Sequence, residues 1–177
     1  CTPYFIQEPT AGQHLAWAES SAVIYTNSVL NAWTNREGAP SALAAALIGK
    51  TPNYGLHQPE NRKPNVLVKV TAKLQTESDY GALGIHLGES LKDKIPAFDG
   101  LRGSTDELKQ LGAAMASSGM TALFYPQPPS KTNAPETLTV ERKDIEDTKL
   151  KLRTTEREPN LVFIGCPHCS FNALRTV

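Results

Sequence analysis

The most regular hydrophobic pattern of the chain lies in residues 65–74. There Val66, Val68 and Val70 alternate with more polar neighbours such as Lys69. A two-residue period is typical of a β-strand with one face buried and the other exposed. We therefore predict a strand in this segment, with its valine face against the core.

A helix is predicted by the pattern that begins at Ser104. Ser104 and Glu107 fit a capping box, in which the two side chains satisfy each other's backbone N–H groups. Leu111 and Met115 follow at helical spacing, and Gly119 supplies a C-terminal stop.

A second helix is predicted between Pro40 and Gly49. Pro40 suits the first turn of a helix, residues 42–48 are all apolar, and Gly49 is a common stop. Because such a helix has no polar face, we expect it to be almost wholly buried.

Shorter patterns predict further elements in the second half of the chain. Residues 120–125 and 161–164 are typical of buried strands, residues 137–140 favour another strand, and residues 144–152 favour a charged surface helix. The alternation of strands and helices predicts an α/β fold, with a mixed or parallel sheet covered by helices. The last strand would place residues 165–169 at the end of the sheet where such folds bind ligands.

Length and charge restrict the class of protein. The 177 residues, 40% of them hydrophobic, suffice for one core, and we predict a single domain over residues 1–177. Eighteen basic residues balance eighteen acidic ones, so no net field attracts nucleic acid or anionic lipid.

No apolar run is long enough for a membrane span and no signal-peptide pattern occurs, so we predict a cytoplasmic protein. The chain begins with Cys1 rather than Met, which suggests an internal piece of a larger catalytic chain.

The motif Cys166-Pro167-His168-Cys169 is the sharpest local signal for chemistry. Two sulfurs at this spacing suit a redox dithiol, a zinc knuckle or a pair of cluster ligands. A thioredoxin-like fold would need many more residues after the motif, and a zinc site would need a second pair of ligands. With three cysteines in the chain, plain burial of all three is also open.

Polar residues in the first part of the chain are candidates for a site. Ser20 and Ser21 follow Glu19, so a hydroxyl beside a carboxylate could take part in proton transfer, but serines near a short helix are also common caps. Arg36 has a planar guanidinium that suits a carboxylate or phosphate, but a structural ion pair with Glu37 or Glu19 is also compatible with the sequence. The residue types alone leave both interpretations open.

Several motifs occur together in the order and spacing of a known family. They are Cys1-Thr2-Pro3-Tyr4, His14 to Val23, Asn27 to Leu30, Thr34 to Gly38, Pro40 to Ala46, Tyr54 to His57, Glu60 to Arg62, Tyr80 to Gly84, Leu108 to Ala114 and Gly165 to His168. Through them the chain resembles the aconitase X family over almost its whole length. It departs from the family pattern after Phe124, where Tyr125 and Pro126 replace an expected histidine and glycine.

The resemblance implies an aconitase-like fold and an iron–sulfur-dependent hydro-lyase that dehydrates a small hydroxy acid. Known activities of the family are on mevalonate 5-phosphate, by enzymes with separate large and small subunits, and on cis-3-hydroxy-L-proline. The motifs at residues 19–23 and 35–38 are more similar to the two-subunit enzymes, so mevalonate 5-phosphate is the expected substrate. The expected partners are the remaining segments of the large subunit and a small swivelling-domain subunit, without which this chain should be inactive. Three alternatives remain: a cis-3-hydroxy-L-proline dehydratase, a thiol–disulfide oxidoreductase using Cys166 and Cys169, and a fragment that only binds a ligand or a partner chain.

The resemblance also implies the ligands of an iron–sulfur cluster. Cys1 and Cys166 correspond to cluster cysteines, Cys169 is a weaker third candidate, and a further ligand is expected outside this chain. An iron with an open position would act as a Lewis acid on the hydroxyl group that leaves.

The other candidate residues follow from the chemistry that dehydration needs beyond the metal. A base must remove a proton next to a carboxylate, and cations or donors must stabilise the charge that develops there. The catalytic candidates are Ser21, His57 and Ser20. The substrate-binding candidates are Asn35, Arg36, Glu37, Arg62 and Glu19. We expect the residues from positions 19–21 and 35–37 to converge on Cys1 and Cys166 in one cavity.

Overall fold

A computed structural model describes residues 2–130, 134–165 and 169–176. Its longer elements are α1 (Ser20–Ser28), α2 (Ala39–Ile48), β1 (Val66–Val70), α3 (Glu77–Leu91), β2 (Pro96–Asp99), α4 (Thr105–Ser118), β3 (Glu136–Val140), α5 (Arg142–Leu152) and α6 (Phe171–Thr176). Short 3-10 helices occur at Pro3–Phe5, Gly55–His57 and Pro59–Arg62. None of the described helices combines the length and the hydrophobicity needed to cross a membrane.

The three strands form a parallel sheet in the order β2-β1-β3. Val66 of β1 lies opposite Pro96 of β2 and Glu136 of β3. Helix α3 connects β1 to β2 and helix α4 follows β2, as parallel neighbours require crossover connections. The valines of β1 are buried and Lys69 is exposed, as the alternation predicted. The predicted α/β fold with a parallel sheet and covering helices is confirmed.

Helices α3 and α4 pack closely because glycines of α3 face α4. A Cβ added to Gly84 would lie 2.5 Å from the carbonyl oxygen of Leu111, and one added to Gly88 would lie 2.9 Å from that of Met115. These neighbours are backbone atoms, so no side-chain rotation can make room. Gly84 belongs to one of the motifs that carry the family resemblance, and here it serves the packing of two helices.

Two elements of the core, β2 and α3, were not predicted from the sequence. Strand β2 spans four residues without alternation, and α3 contains three glycines at positions 81, 84 and 88, which lower its helix propensity. Even so, Leu83 and Leu87 of α3 and Phe98 of β2 are fully buried. Phe98 also packs edge-on against Phe124, with ring centroids 5.8 Å apart.

The predicted helix after Ser104 is confirmed as α4. Its capping box is present, with the N–H of Glu107 donating to the Ser104 hydroxyl and the N–H of Ser104 donating to the Glu107 carboxylate. The strand near residues 137–140 and the charged helix near residues 144–152 are confirmed as β3 and α5.

Helix α2 is present, but the prediction that it is buried was wrong. Gly49 ends the helix in a left-handed conformation with φ of 66°, as expected of a glycine stop. Yet Leu43 is 63% exposed, Leu47 is 79% exposed and no residue of α2 is buried. The apolar sequence predicted burial, but no described element covers these leucines.

Two predicted strands are also corrected. Residues 120–125 form no strand, and only Tyr125 pairs with the sheet, through a single bridge to Ala97. Leu123 and Phe124 are nevertheless fully buried, so the prediction was right about burial and wrong about the ladder. Residues 161–164 lie in no strand and are exposed, because they pair with none of the described strands.

Candidate active site

A cleft of about 930 Å³ lies between the N-terminal loops and helix α2. Its polar lining comes from Gln7, Gln13, His14, Lys50, Thr51, Asn53 and His57, and its apolar lining from Leu15, Ala16, Trp17, Ala42, Ala45, Ala46 and Pro52, with Gly49 at the end of α2. Donors, a cation and two imidazoles therefore share one opening, as in sites for small polar ligands.

Two loop segments run side by side and hold one wall of this cleft. The N–H of Trp33 donates to the carbonyl of Gln13 over 2.8 Å, and the N–H of Leu15 donates to the carbonyl of Trp33 over 2.8 Å. Further along, the N–H of Glu37 donates to the carbonyl of Trp17 over 3.1 Å. These backbone bonds fix His14, which lies between Gln13 and Leu15.

His14 and His57 form a stacked pair in the cleft. Their Nδ1 atoms are 2.8 Å apart and their ring centroids are 5.0 Å apart at an angle of 25°. His57 is only 3% exposed, whereas His14 is exposed. The Nε2 atom of His57 is buried and has no hydrogen-bond partner among the described residues.

The surroundings of His57 favour its neutral form. Burial lowers the pKa of His57 below its usual 6.5, the neighbouring His14 lowers it further, and Arg62 adds a smaller effect in the same direction. Glu37 opposes these effects. A buried imidazole that is neutral near pH 7 suits a general base.

Arg62 is a buried cation with acceptors around its guanidinium. It donates to the side-chain oxygen of Asn27 over 2.9 Å, and to the carbonyls of Asn27, Leu56 and Ala32 over 3.2–3.5 Å. The guanidinium also lies 4.5 Å from the ring centre of Trp33. These contacts favour a structural role, and the binding of substrate by Arg62 stays a prediction.

Glu19 and Ser21 meet at the start of helix α1. Glu19 is the N-cap residue, and its carboxylate accepts from the N–H groups of Ser21 and Ala22 over 3.2 Å and 2.9 Å. The Ser21 hydroxyl donates to the same carboxylate over 2.5 Å, and Ser21 is buried. Helix α1 is therefore capped by Glu19 and not by one of the serines, which lie in its first turn, and a catalytic role for Ser21 stays a prediction.

Arg36 and Ser20 form a second contact at this end of α1. The Arg36 guanidinium donates to the Ser20 hydroxyl over 2.8 Å and to the carbonyl of Ala116 in α4 over 3.4 Å. Arg36 is exposed, and the alternative ion pair with Glu37 is not among the ion pairs of the described residues. The roles of Arg36 and Ser20 in the reaction stay predictions.

Asn35 and Glu37 point to different neighbours. Asn35 binds the Tyr54 carbonyl over 3.0 Å and the Leu56 N–H over 2.7 Å, which positions the turn that carries His57. Glu37 accepts from the Ser41 hydroxyl over 2.7 Å.

The predicted site residues other than Glu37, which contacts Ser41 of α2, thus fall into two groups. Glu19, Ser20, Ser21 and Arg36 meet at the start of α1, whereas Asn35 and Arg62 support the turn that carries His57. His14 was not among the predicted site residues. Its position in the family motif at residues 14–23 was the one feature of the sequence that could have identified it.

Of the three predicted cluster ligands, only Cys169 lies within the described residues. Cys1 and Cys166 lie outside the described residues, so the expectation that they approach each other stays a prediction. Cys169 is a free, half-buried thiol. Within residues 2–130, 134–165 and 169–176, no three His, Cys, Asp or Glu side chains are grouped so that they could hold a metal ion.

Family models cover most of the sequence. The model described as aconitase X first domain matches residues 1–60, and that described as aconitase X second domain matches residues 64–150. The chain belongs to the aconitase X family. The resemblance based on motifs is therefore confirmed, and the prediction of a single domain over residues 1–177 stays a prediction.

Curated relatives in the aconitase X family are dehydratases. The chain is 44% identical to the phosphomevalonate dehydratase large subunit of Thermococcus kodakarensis, with 100% of this chain and 48% of that protein covered. It is 48% identical to the large subunit of Methanothermobacter thermautotrophicus, with 100% and 46% covered. Identity to the cis-3-hydroxy-L-proline dehydratase of Pseudomonas aeruginosa is 35%, with 96% and 32% covered. The chain spans about half the length of the large subunits that it matches.

A solved structure has the same fold. The crystal structure of Thermococcus kodakaraensis aconitase X in its holo form superposes with a TM-score of 0.90 at 45% identity, covering 99% of this chain and 48% of that one. The aconitase-like fold implied by the motifs is confirmed.

Proposed function

We propose that this chain is part of the large subunit of a hydro-lyase that dehydrates mevalonate 5-phosphate. The observation that carries the proposal is the identity of 44–48% to phosphomevalonate dehydratase large subunits over the whole chain. Identity to the P. aeruginosa cis-3-hydroxy-L-proline dehydratase is lower, at 35%. The reaction removes a proton next to the carboxylate and expels the hydroxyl group from the neighbouring carbon.

His57 is the base that the geometry supports best. It lines the cleft, and its buried Nε2 atom has no hydrogen-bond partner among the described residues. We propose that the substrate reaches this atom in the complete enzyme and gives up its proton there. Ser21 is the second candidate, because its hydroxyl contacts the Glu19 carboxylate. Ser20 supports that site through its contact with Arg36.

The anionic groups of the substrate need fixed cations and donors. Lys50 lines the cleft together with Gln13 and Asn53, and we assign these residues to the phosphate or carboxylate. Arg36 is proposed as a second anion-binding residue at the start of α1. Asn35, Glu37, Arg62 and Glu19 are proposed to shape the substrate site through the contacts described above.

An iron–sulfur cluster is the proposed cofactor. Thiolates are the usual ligands of such clusters, and Cys1 and Cys166 are proposed to hold it, with Cys169 as a weaker third candidate. When bound, the cluster would supply a Lewis acid for the departing hydroxyl group. The free thiol of Cys169 is compatible with this ligand set.

The proposed partners are the remaining segments of the large subunit and a small swivelling-domain subunit. Helix α2 supports this proposal, because its exposed Leu43, Leu47 and Ile48 form an apolar surface next to the cleft. We propose that the rest of the large subunit covers this surface. The complete enzyme is proposed to act in the cytoplasm.

The test uses the full-length large subunit with its small subunit, reconstituted with iron and sulfide without oxygen. We expect a broad visible absorption band from the cluster and dehydration of mevalonate 5-phosphate in preference to cis-3-hydroxy-L-proline. A preference for cis-3-hydroxy-L-proline would instead show that the enzyme is a cis-3-hydroxy-L-proline dehydratase. A colourless, inactive protein with a reversible Cys166–Cys169 disulfide would favour a thiol–disulfide oxidoreductase.

A further inference from the structure

We propose that His14 and His57 form a two-residue proton relay that connects a buried nitrogen in the cleft with solvent. The direct observation is the 2.8 Å contact between their Nδ1 atoms, with His57 buried and His14 exposed. The proposal rests on the proposed dehydratase function, because that reaction supplies the proton to be moved.

The contact between the rings restricts where their protons can be. In a nitrogen–nitrogen hydrogen bond one atom donates and the other accepts, and a neutral imidazole carries a single N–H. When His57 donates from Nδ1, its Nε2 is a free lone pair. His14 then accepts at Nδ1 and carries its own proton on Nε2. The pair thus presents a base at its buried end and an acid at its exposed end.

Proton transfer through the pair is balanced in each direction. His57 Nε2 takes the proton from the substrate carbon, the shared proton moves from His57 Nδ1 to His14 Nδ1, and His14 releases its Nε2 proton to water. The reverse sequence then brings a solvent proton through His14 to His57 Nε2, which protonates the departing hydroxyl group to give water. The net result is alkene and water, with both imidazoles in their starting forms.

A metal ion between the two rings is a poor alternative. Two Nδ1 atoms on one tetrahedral zinc ion would be about 3.3 Å apart, given zinc–nitrogen bonds of about 2.0–2.1 Å. The observed 2.8 Å is the length of a hydrogen bond. The described residues also contain no third His, Cys, Asp or Glu grouped with the pair.

Charged side chains surround His57 and share the cleft with the pair. Arg62 and Glu37 act on His57 with opposite signs, and Lys50 lies in the lining of the same cleft. Trp33 packs against His14 with ring centroids 5.4 Å apart and limits its rotation. His14 therefore keeps one orientation towards His57 while its outer edge remains accessible.

The kinetic test compares His14→Ala and His14→Asn in the complete two-subunit enzyme, with His86→Ala in helix α3 as the matched control. The asparagine variant would keep a polar partner for His57 but could not pass a proton on. We expect kcat to fall by about 10- to 100-fold in both variants, while KM changes little. This loss is no larger than the contribution that general acid–base catalysis usually makes to a rate. Added imidazole should restore kcat of His14→Ala in proportion to its concentration. Unchanged kcat in both variants, or a loss that imidazole does not restore, would overturn the relay.

A spectroscopic test separates the relay from the proposed function. In the wild-type enzyme with 15N-labelled histidine, we expect one of the two Nδ1 atoms to carry a proton and the other to accept, and the His57 signals to change in His14→Ala. If the wild-type enzyme dehydrates neither substrate, the proposed function fails while these signals still decide whether the hydrogen-bonded pair exists. Two protonated or two unprotonated Nδ1 atoms would exclude the pair and with it the relay.

Discussion

Lys149 of helix α5 donates a 2.5 Å hydrogen bond to the buried carboxylate of Asp79 in helix α3. Burial alone would raise the pKa of Asp79, but the hydrogen bonds from Lys149 and from the Gln75 N–H outweigh it and hold the pKa at about 2. Arg142 adds a weaker contact at 3.3 Å. This buried carboxylate therefore ties α5 to the N-terminus of α3.

The first prediction concerns the acid stability that Asp79 provides. Its folded pKa of about 2 is below the ordinary 3.8, so its contribution is present above pH 3.8 and is lost as the pH falls towards 2. We expect Asp79→Asn in the full-length protein to lower the free energy of unfolding by about 2 kcal/mol at pH 7. Between pH 3.8 and pH 2 the melting temperature of this variant should fall less steeply than that of the wild type. Glu89→Gln, which removes an exposed ion pair with Lys151, should cost less than about 1 kcal/mol. Equal melting temperatures of the two variants at pH 7 would contradict the prediction.

The second prediction tests the close contact of α3 with α4. Gly84→Ala would place a methyl group against the Leu111 carbonyl, which cannot move aside, and we expect a loss of about 1–3 kcal/mol. Gly81→Ala is the matched control, since its new methyl group would meet the flexible side chain of Gln110 at 3.3 Å. Thermal denaturation of both variants is the measurement. A Gly84→Ala protein as stable as Gly81→Ala would show that the helices can separate without cost.

The elements that could be predicted are those whose structure is specified by residues close together in the sequence. The alternation in β1 and the Ser104 capping box are local, and both were predicted correctly. Helix α3 was missed although Thr76 and Asp79 form a local capping box, because the glycines that allow its close packing lower its helix propensity. The exposure of α2 could not be predicted, because burial depends on which other part of the protein covers Leu43 and Leu47.

The candidate site was predictable in its residue types but not in its contacts. The sequence suggested a serine as the cap of the short helix, whereas the structure shows that the Glu19 carboxylate is the cap. The contact between His14 and His57 joins residues 43 positions apart through two separate loops, which no local pattern encodes. The acceptors around Arg62 are mostly backbone carbonyls, whose positions depend on the folded loops.

The third prediction concerns Arg62 as a structural residue. Arg62→Lys keeps a positive charge but loses the planar donor set that binds Asn27 and Leu56, so buried acceptors lose their partners. We expect a loss of about 1–3 kcal/mol in stability. In the variant that remains folded at low temperature, KM for mevalonate 5-phosphate should stay near the wild-type value. A large rise in KM with unchanged melting temperature would instead assign Arg62 to substrate binding.

The fourth prediction is the pH dependence of turnover. A base must be neutral, and the pKa of His57 is lowered from 6.5 by burial and by His14. The acid limb of kcat/KM should therefore lie below pH 6.5, with activity falling as the pH drops through that limb. His57→Gln should lower kcat by about 10²–10⁴-fold and remove the limb. An acid limb that persists in His57→Gln would transfer the base role to another residue, with Ser21 next to be tested.

The last prediction separates the charge of Arg36 from its geometry. Arg36 contacts the Ser20 hydroxyl and the Ala116 carbonyl through the same nitrogen, and it is exposed in the described part of the chain. Arg36→Lys keeps the charge but loses the fork that binds a carboxylate or phosphate with two parallel hydrogen bonds. If Arg36 holds an anionic group of the substrate, activity of the complete enzyme should fall by about 10- to 1000-fold, or about 1.4–4 kcal/mol of transition-state stabilisation. Lys63→Arg is the control for a general change of surface cation and should leave kcat/KM unchanged. Wild-type kinetics in Arg36→Lys would limit Arg36 to its contacts between α1 and α4, and anion binding would then rest on Lys50.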